Sequence, residues 1–310
     1  MIFKNSIFCF LVLISIISHV TSYRLSIHDD AILQKTCGIK RSSNKVQDMN
    51  DDIGFNYPWA TTYTITSEGG SSNNRYNYSV IRPGTFISPY HILTTSAVDI
   101  MSRNYGYSSS DFQKAGSCEG NNLIAPVEVN SRIRIGSYGG RHNLSNVVER
   151  VIIVNGCKHT LSGFMVVELV KKFAHQENII PACLPDTGTY RRTLDIFSFV
   201  GVNKKGGLKV HDCVRTICSN MFRRSKQLLL CSKPLNNIRN ICYEDDGAGA
   251  VNSIGKPATI YGVYKADSPR TCSELNDEAV FYSLEFSMND ICYSTGICPS
   301  TTQTNTKHSF

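Results

Sequence analysis

The sequence predicts an all-β fold that ends in a single α-helix. From residue 57 onward, short runs rich in threonine, branched aliphatic and aromatic residues alternate with clusters of turn-forming residues. This alternation is typical of strands joined by turns. A helical period occurs only near the C-terminus, and many short strands with one terminal helix favour an all-β architecture.

Seven predicted strands follow one another between residues 61 and 170. The first, Thr61–Thr66, comes after Tyr57 and Pro58 and precedes a turn-forming loop over residues 68–74. Six further runs have the same composition: Tyr78–Arg82, Gly84–Ile87, His91–Thr95, Arg132–Ile135, Val147–Val154 and Phe164–Val170.

The single predicted helix covers about residues 277–291. Five apolar residues recur at helical spacing and fall on one face: Val280, Phe281, Leu284, Met288 and Ile291. Asn276 or Asp277 is available to cap its first turn.

The N-terminus has the pattern of a secretory signal peptide over residues 1–22. Lys4 precedes an apolar run from Ile7 to Val20, and small residues follow just before Tyr23. The run is shorter than a helix that spans a bilayer, and no later run approaches its length. We therefore expect a secreted, extracellular protein that is not anchored in a membrane.

Two segments of the mature chain lie outside the strand pattern. Residues 23–55 are polar, mixed in charge and contain one cysteine, Cys37, so we expect a tethered N-terminal segment that is not a core element. Residues 299–310 form a polar tail. The strand-rich region lies between them.

The cysteine content also indicates an oxidising compartment. The chain has 12 cysteines, and removal of the signal peptide takes away Cys9 and leaves an odd number. In a secreted protein these are expected to form disulfides, with at least one cysteine free, modified or paired between chains. Asn77 and Asn143 begin acceptor sequons for N-linked glycans, which agrees with secretion.

The charge distribution does not favour a nucleic-acid-binding protein. The formal net charge is +7, and the basic pairs are scattered and not interleaved with aromatic residues. Binding to an acidic glycan is compatible with this charge, although no motif specifies it. The cysteine and histidine spacings are better explained by disulfides than by zinc, so we expect no metal and no cofactor.

Three consecutive acids occupy Glu244–Asp246. Clustered carboxylates suit Ca²⁺, but consecutive acids rarely converge on one ion, so a solvated acidic turn is the expected structure. His91, within a predicted strand, and His159, near Cys157, are expected to be ordinary packing, surface or loop histidines and not catalytic bases.

The stretch Cys-Tyr-Glu-Asp-Asp-Gly-Ala-Gly that begins at Cys242 resembles the catalytic loop of trypsin-like serine proteases, Cys-x-Gly-Asp-Ser-Gly-Gly-Pro. Cys242, Asp245 and Gly247 match that loop. Asp246 stands at the position of the nucleophilic serine, and Glu244 stands at that of the oxyanion glycine. The outline of the loop is therefore present without its attacking hydroxyl.

Two further segments resemble the same family in the same order. The run Gly-Thr-Phe-Ile-Ser-Pro-Tyr-His-Ile-Leu-Thr-Thr-Ser is similar to the segment before the catalytic histidine, but the next two residues are Ala97 and Val98, at the positions of the histidine and a cysteine. The partner of that cysteine would fall near Arg82, which is not a cysteine either. The run Phe-Met-Val-Val-Glu-Leu, followed by Pro-Ala-Cys-Leu-Pro, is similar to the segment that carries the catalytic aspartate, whose position is Gly163.

The ending Ile-Cys-Tyr-Ser-Thr-Gly-Ile-Cys and the extra cysteines Cys118 and Cys157 are similar to a nematode trypsin-like branch of the family. The resemblance implies a two-barrel trypsin-like domain over residues 56–298. The first barrel would cover about residues 56–186, the second about 187–276, and the terminal helix would follow.

The resemblance also implies five disulfides, one of them with two alternatives: Cys37–Cys183, Cys242–Cys272, Cys218–Cys231 or Cys213–Cys231, Cys118–Cys157 and Cys292–Cys298. The first would tie the N-terminal segment to the first barrel, and the second would brace the former substrate pocket. One of Cys213 and Cys218 is then left over.

The substitutions remove the groups that acyl transfer by the family's route requires, namely a hydroxyl, an imidazole and an orienting carboxylate. Ala97 cannot accept a proton, Gly163 has no side chain, and the Asp246 carboxylate is a poor nucleophile toward an amide. Glu244 and Asp246 also place negative charge where an oxyanion would form.

We therefore expect a secreted pseudoprotease that binds a partner, an unidentified extracellular protein or a glycan, through the former cleft and its loops. Two alternatives stay open. One is an active hydrolase that uses a displaced histidine and a serine such as Ser96 or Ser253. The other is a structural secreted glycoprotein without a cleft function.

Relatives in this family are activated when a new N-terminus inserts beside the aspartate equivalent to Asp245. No Ile-Val-Gly-Gly-type sequence follows Lys40 and Arg41. Asp245 is therefore expected to point outward or to find another partner, such as a backbone N–H, and the loop to stay zymogen-like.

Overall fold

The computed structural model describes residues 24–39, 56–69, 76–96, 108–136, 143–144, 148–158, 163–170, 179–186, 196–202, 208–218, 229–235, 241–252, 257–266 and 278–299. The predicted signal peptide falls outside these ranges, as do nearly all of the predicted tail and both candidate caps of the terminal helix.

The first half of the chain forms one antiparallel sheet. Its strands are β1 (Ala60–Gly69), β2 (Tyr76–Ser88), β3 (His91–Thr95), β4 (Ser117–Glu119), β5 (Asn122–Ile124), β6 (Ile133–Gly136), β7 (Asn143–Leu144), β8 (Val148–Ile153) and β9 (Phe164–Leu169). They lie in the order β4-β5-β8-β9-β3-β2-β1-β6-β7. Among the described residues this sheet does not close on itself.

The second half forms a closed antiparallel barrel. Its strands are β10 (Ile196–Val202), β11 (Leu208–Thr216), β12 (Leu229–Pro234), β13 (Gly249–Asn252), β14 (Thr259–Lys265) and β15 (Ala279–Ser283). They follow the order β10-β11-β12-β15-β14-β13, with β13 closing on β10. The helices are α1 (Ile27–Thr36), α2 (Ser109–Ala115), α3 (Val127–Asn130) and α4 (Met288–Thr295). The predicted all-β fold with a C-terminal helix is confirmed, and no described helix is long and apolar enough to cross a bilayer.

The predicted extent of the terminal helix was wrong. Val280 and Phe281 belong to β15, which pairs with both β12 and β14, and only residues from Met288 onward are helical. Strand pairing that closes the barrel outweighs the helical spacing, because it satisfies the backbone of an Ala-Val-Phe-Tyr-Ser run that suits a strand. The helix ends at Gly296, whose φ of 74° places it in the left-handed region that favours glycine.

The two runs predicted on either side of Pro83 form one strand, β2. Its ladder with β1 runs without interruption from Thr85 to Tyr76, and Pro83 lies opposite Thr62. The ladder with β3 begins only at Thr85. Pro83 is therefore tolerated, since no pairing with β3 requires an N–H at that position.

The described part of the N-terminal segment, residues 24–39, contributes to the core, contrary to the expectation from its polar composition. Ser26 caps α1 by accepting the Asp29 N–H at 3.1 Å. Leu33 and Cys37 are 6% and 5% exposed and belong to an apolar cluster that contains residues of both halves of the chain and of α4. Burial of these two side chains outweighs the polarity of the rest of the helix.

Two further apolar clusters fill the interiors of the two halves. One packs between strands of the first sheet and includes Tyr63, Ile92 and Val167. The other lies within the barrel and includes Phe199 and Phe281, whose rings meet edge to face with centroids 5.4 Å apart. The turn with the candidate site connects to the start of β13, where the barrel meets the first sheet.

Candidate functional site

The candidate site is built on a 3₁₀ turn, Tyr243–Asp245, that leads into β13. Gly247 follows it with a φ of 104°, and a Cβ at this position would lie 2.2 Å from Thr94 Oγ1 at the end of β3. Only glycine combines that φ with so close an approach. The turn therefore packs directly on the strand that leads to Ala97. Cys242 before the turn is disulfide-bonded, and its expected partner, Cys272, lies outside the described residues.

The Asp245 side chain points into the protein and has no exposed surface. Its Oδ1 accepts the Val202 N–H at 3.0 Å, and its Oδ2 accepts the Cys242 N–H at 2.7 Å. Lys209 Nζ lies 2.8 Å from the same Oδ2. Of the two alternatives for Asp245, the structure therefore has the one with backbone N–H partners, and a lysine of the same chain supplies the positive charge.

Asp246, which the sequence resemblance aligns with the nucleophile, also has partners. Its Oδ1 accepts the N–H of Ala266, the residue after β14, at 3.1 Å. Its Oδ2 lies 3.9 Å from Arg82 Nε, and the Asp246 side chain is 20% exposed. The carboxylate therefore bridges the turn to the end of a neighbouring strand.

Arg82 is the buried cation of this site, with a 2% exposed side chain. Its guanidinium lies 3.9 Å above the centroid of the Tyr243 ring, and its Nη1 donates to the Tyr243 carbonyl at 3.1 Å. Cation–π stacking of this kind is favourable where water is excluded. Arg82, near which the resemblance would place a cysteine, therefore contacts the turn through both the ring and the carbonyl of Tyr243.

The structure brings together the segments that contain the three positions which the sequence resemblance aligns with the catalytic triad. Ala97 itself lies outside the described residues, but Ser96 before it donates its N–H to the Gly163 carbonyl at 2.7 Å. Gly163 has a φ of 144°, and no described atom lies within 4 Å of the position that a Cβ would take. Because Gly247 packs on Thr94, the turn with Asp246 reaches the same strand end.

A profile of nematode trypsin-6-like proteins matches residues 6–298, which is most of the chain. The chain belongs to the nematode trypsin-6-like family. The fold agrees, because the chain is similar to the solved structure of HL collagenase, with 16% identity and a TM-score of 0.51, over 78% of this chain and 95% of the collagenase chain. At this identity the likeness shows the fold alone. No curated protein matches the sequence.

This member of the nematode trypsin-6-like family has a second buried polar cluster, away from the turn. It joins His91 on β3, Glu168 on β9 and Arg150 on β8, and the first two have no exposed surface. Arg150 Nε donates to Glu168 Oε2 at 2.6 Å. Its Nη1 donates to both carboxylate oxygens of Glu119, and its Nη2 donates to the Ser294 carbonyl of α4 at 2.8 Å. The cluster therefore connects the first sheet to the terminal helix.

Ser88, His91 and Glu168 lie in a serine–histidine–acid arrangement. Ser88 Oγ accepts the Tyr90 N–H at 3.0 Å. We therefore assign the Ser88 hydroxyl as the donor in its 2.7 Å hydrogen bond with His91 Nδ1. The ring proton is then on Nε2, 3.8 Å from Glu168 Oε2. None of the three side chains is accessible to solvent, so a substrate cannot reach this hydroxyl. His91 is a packing histidine, as expected.

The charge states of this cluster differ between its members. Burial lowers the pKa of His91, an effect that the neighbouring Glu168 opposes in part, so the imidazole is neutral near neutral pH. Burial alone would raise the pKa of Glu168, but His91 and Arg150 outweigh it and hold that pKa below its usual value. The carboxylate is therefore ionised.

The free energy of unfolding should fall as the pH drops from about 7.5 to 5.5, because His91 takes up a proton more readily in the unfolded chain, where its pKa is about 6.5. A histidine whose pKa is lowered in the folded protein contributes fully to the free energy of unfolding above its unfolded-state pKa. Below that pKa the contribution is lost, with a slope of up to about 1.4 kcal/mol per pH unit. Urea unfolding at several pH values measures this loss. His91→Gln should flatten the slope in this window, and an equal slope in wild type and variant would contradict the assignment.

The three consecutive acids do not form the expected solvated turn. Asp245 is fully buried and points inward, whereas the Asp246 carboxylate extends toward Arg82 and Ala266. Because their carboxylates have separate partners, they do not converge on one cation. Another group of potential ligands in the described part of the chain, Cys218, Cys231 and Glu278, contains two sulfurs that are joined to each other.

Four disulfides lie wholly within the described residues: Cys37–Cys183, Cys118–Cys157, Cys218–Cys231 and Cys292–Cys298. Of the two alternatives for Cys231, the structure therefore has Cys218. Cys213 is a free, buried thiol, and burial raises its pKa to about 12. Disulfides are typical of proteins in oxidising compartments.

Other predicted site residues fall on elements of which less is described. Asn77 lies on β2 and Asn143 on β7, and their glycosylation stays a prediction. His159 and Ser253 are outside the described residues. The residues that sequence reasoning missed are Lys209, Ala266 and the role of Arg82. The absence of the family's cysteine near Arg82 was a signal for that residue, whereas Lys209 and Ala266 meet the turn only through the fold.

Proposed function

We propose that this protein is a secreted, catalytically inactive homologue of serine proteases that acts by binding a partner. The carrying observation is the engagement of Asp246. The group at the nucleophile position is a carboxylate that already accepts the Ala266 N–H and lies beside the buried Arg82 guanidinium.

The chemistry of the substituted positions supports inactivity. A carboxylate that is hydrogen-bonded and close to a cation is a weaker nucleophile than a free one, and its acyl product would be a mixed anhydride. Ala97 offers no proton acceptor and Gly163 no orienting acid. One serine–histidine pair at hydrogen-bond distance, Ser88 with His91, does not support a displaced apparatus, because both side chains are fully buried.

The rigidity of the scaffold supports a binding role. The turn with Asp246 is held by a disulfide at Cys242, by the buried Asp245 and by close packing of Gly247 on Thr94. Binding sites in folds of this kind lie on loops that a rigid framework presents. The predicted partner is an extracellular protein or a glycan, and secretion rests on the predicted signal peptide together with the disulfides.

Absence of catalysis is tested with the purified, secreted protein and two assays: turnover of a peptide ester and labelling by a fluorophosphonate probe. We expect neither, and we expect Asp246→Ser alone to restore neither, because position 97 still lacks a base. Ser96→Ala and Ser253→Ala serve as controls. Turnover or labelling of the wild type that one of these two variants removes would establish the displaced-serine alternative instead.

The binding role is tested by a pull-down from extracellular fluid with the wild type beside two charge-reversed variants. Glu244→Lys changes the turn Tyr243–Asp245, whereas Glu128→Lys makes the same change on the exposed surface of α3, which packs on β8. We expect loss of a captured component with the first variant only. A protein or glycan that binds all three forms equally would favour the structural glycoprotein alternative.

A further inference from the structure

The buried Asp245 carboxylate requires a positive partner. An ionised carboxylate removed from water costs several kcal/mol unless hydrogen bonds and an opposite charge compensate it. Asp245 has no exposed surface, and two backbone N–H groups donate to it, from Val202 on β10 and from Cys242 before the turn. These donors satisfy the hydrogen-bonding capacity of the carboxylate oxygens in part, but its negative charge still needs a neighbouring cation.

Lys209 on β11 is that cation. Its Nζ lies 2.8 Å from Asp245 Oδ2, and its side chain is 23% exposed, so its stem follows the barrel surface while its ammonium group reaches the buried carboxylate. Among the described residues, the other basic group nearby is His211. Its Nε2 lies 3.5 Å from Asp245 Oδ2 without a hydrogen bond, and its ring stacks on Phe199 at 4.6 Å.

The space around Asp245 is shaped for this arrangement. A Cβ at Gly201, next to Val202 on β10, would lie 1.8 Å from Asp245 Oδ1, so the carboxylate occupies the volume of a missing side chain. The carboxylate is thus surrounded by β10, by β11 and by the chain before its own turn. Its position is fixed from both strands at once.

We propose that Lys209 is a built-in counter-ion that fixes the turn from Tyr243 to Gly247 in one conformation in the uncleaved chain. Both oxygens of Asp245 are already engaged by groups of the same chain. The carboxylate therefore has no need of an ammonium group released by cleavage elsewhere, for example after Arg41. The turn with Asp246 is formed as soon as the barrel folds.

Hydrogen exchange of the backbone amides of residues 241–252 in the full-length protein tests this proposal. Lys209→Met keeps most of the stem but removes the charge, and we expect exchange of this segment to accelerate roughly tenfold or more. Lys209→Arg keeps the charge and should stay within about threefold of the wild type. Lys233→Met is the matched control, because Lys233 is an exposed lysine on the neighbouring strand β12, and it should have no effect.

A double variant separates charge from packing. Asp245→Asn removes the buried charge, so adding it to Lys209→Met should restore most of the protection. The double variant is informative even if Lys209→Met alone does not fold. In that case a double variant that folds supports the proposal. If neither variant folds, Lys209 acts through packing and the proposal is wrong.

The independence from cleavage is tested in the wild-type background with a specific protease site introduced at residues 40–45. Exchange of residues 241–252 should be the same in the intact and the cut protein, to within about twofold. Exchange that slows roughly tenfold after the cut would show that a new terminus orders the turn, and it would overturn the proposal. So would wild-type protection in Lys209→Met.

Discussion

Replacing Arg150 with methionine should lower the free energy of unfolding by about 3–5 kcal/mol, because it leaves the ionised Glu168 buried without its cation. The guanidinium makes a 2.6 Å bond to Glu168, a two-pronged contact with Glu119 and a 2.8 Å bond to the Ser294 carbonyl. The substitution removes all of these contacts, including the hydrogen bond that connects α4 to the first sheet.

Urea unfolding followed by the fluorescence of Trp59, the single tryptophan, measures this effect. Glu119→Gln is the control: its side chain is 43% exposed, so losing its charge should cost at most about 1 kcal/mol. Adding Glu168→Leu to Arg150→Met should recover much of the loss, because no buried charge then remains. A cost below about 1 kcal/mol for Arg150→Met would show that Glu168 finds another partner or takes up a proton.

Removing the Cys37–Cys183 disulfide should destabilise the protein by about 4–5 kcal/mol, since it closes the longest of the described disulfide loops. Its two cysteines are 146 residues apart in sequence, whereas Cys292 and Cys298 are 6 residues apart. A cross-link over a longer loop removes more conformational freedom from the unfolded chain. The same disulfide holds α1 against the apolar cluster that joins the two halves.

Alanine at both positions of each disulfide gives a matched pair of variants. Loss of Cys292–Cys298 should cost about 2 kcal/mol, less than half the cost of losing Cys37–Cys183. Thermal and urea unfolding under non-reducing conditions measure both. Equal destabilisation would mean that loop length does not set the contribution. In that case the backbone bonds of Gly38 with Pro181 and Ala258 would be the main attachment of the N-terminal segment.

The sequence was sufficient for elements whose local pattern and tertiary pairing agree. The runs at Thr61–Thr66 and Phe164–Val170 were predicted as strands and form strands in the structure, because their composition suits a half-buried or fully buried strand. The end of the chain was misassigned because apolar residues of β15 happen to continue the period of α4. The helix α1 was missed because its composition is polar and its burial depends on residues far away in the chain, although Ser26 and Asp29 offered a capping signal.

The candidate site also has features that the sequence could indicate and features that it could not. The turn could be singled out by resemblance, since the residues that match the family's loop are contiguous in sequence. The partners of the turn could not, because Arg82 and Lys209 reach it from strands of two different sheets. A local pattern contains no information about such pairs. The inward orientation of Asp245 depends on Val202, Cys242 and Lys209, and the sequence could offer a backbone N–H partner only as one of two alternatives.

The pairing of Arg82 with Asp246 has an evolutionary consequence. A single change from Asp246 to serine would supply an alcohol but would leave Arg82 as a buried cation without its neighbouring anion, which is unfavourable. A serine at position 246 would therefore require a coordinated change at position 82. An intermediate with serine at position 246 and arginine still at position 82 would be less stable than its parent, so this pair resists change one residue at a time.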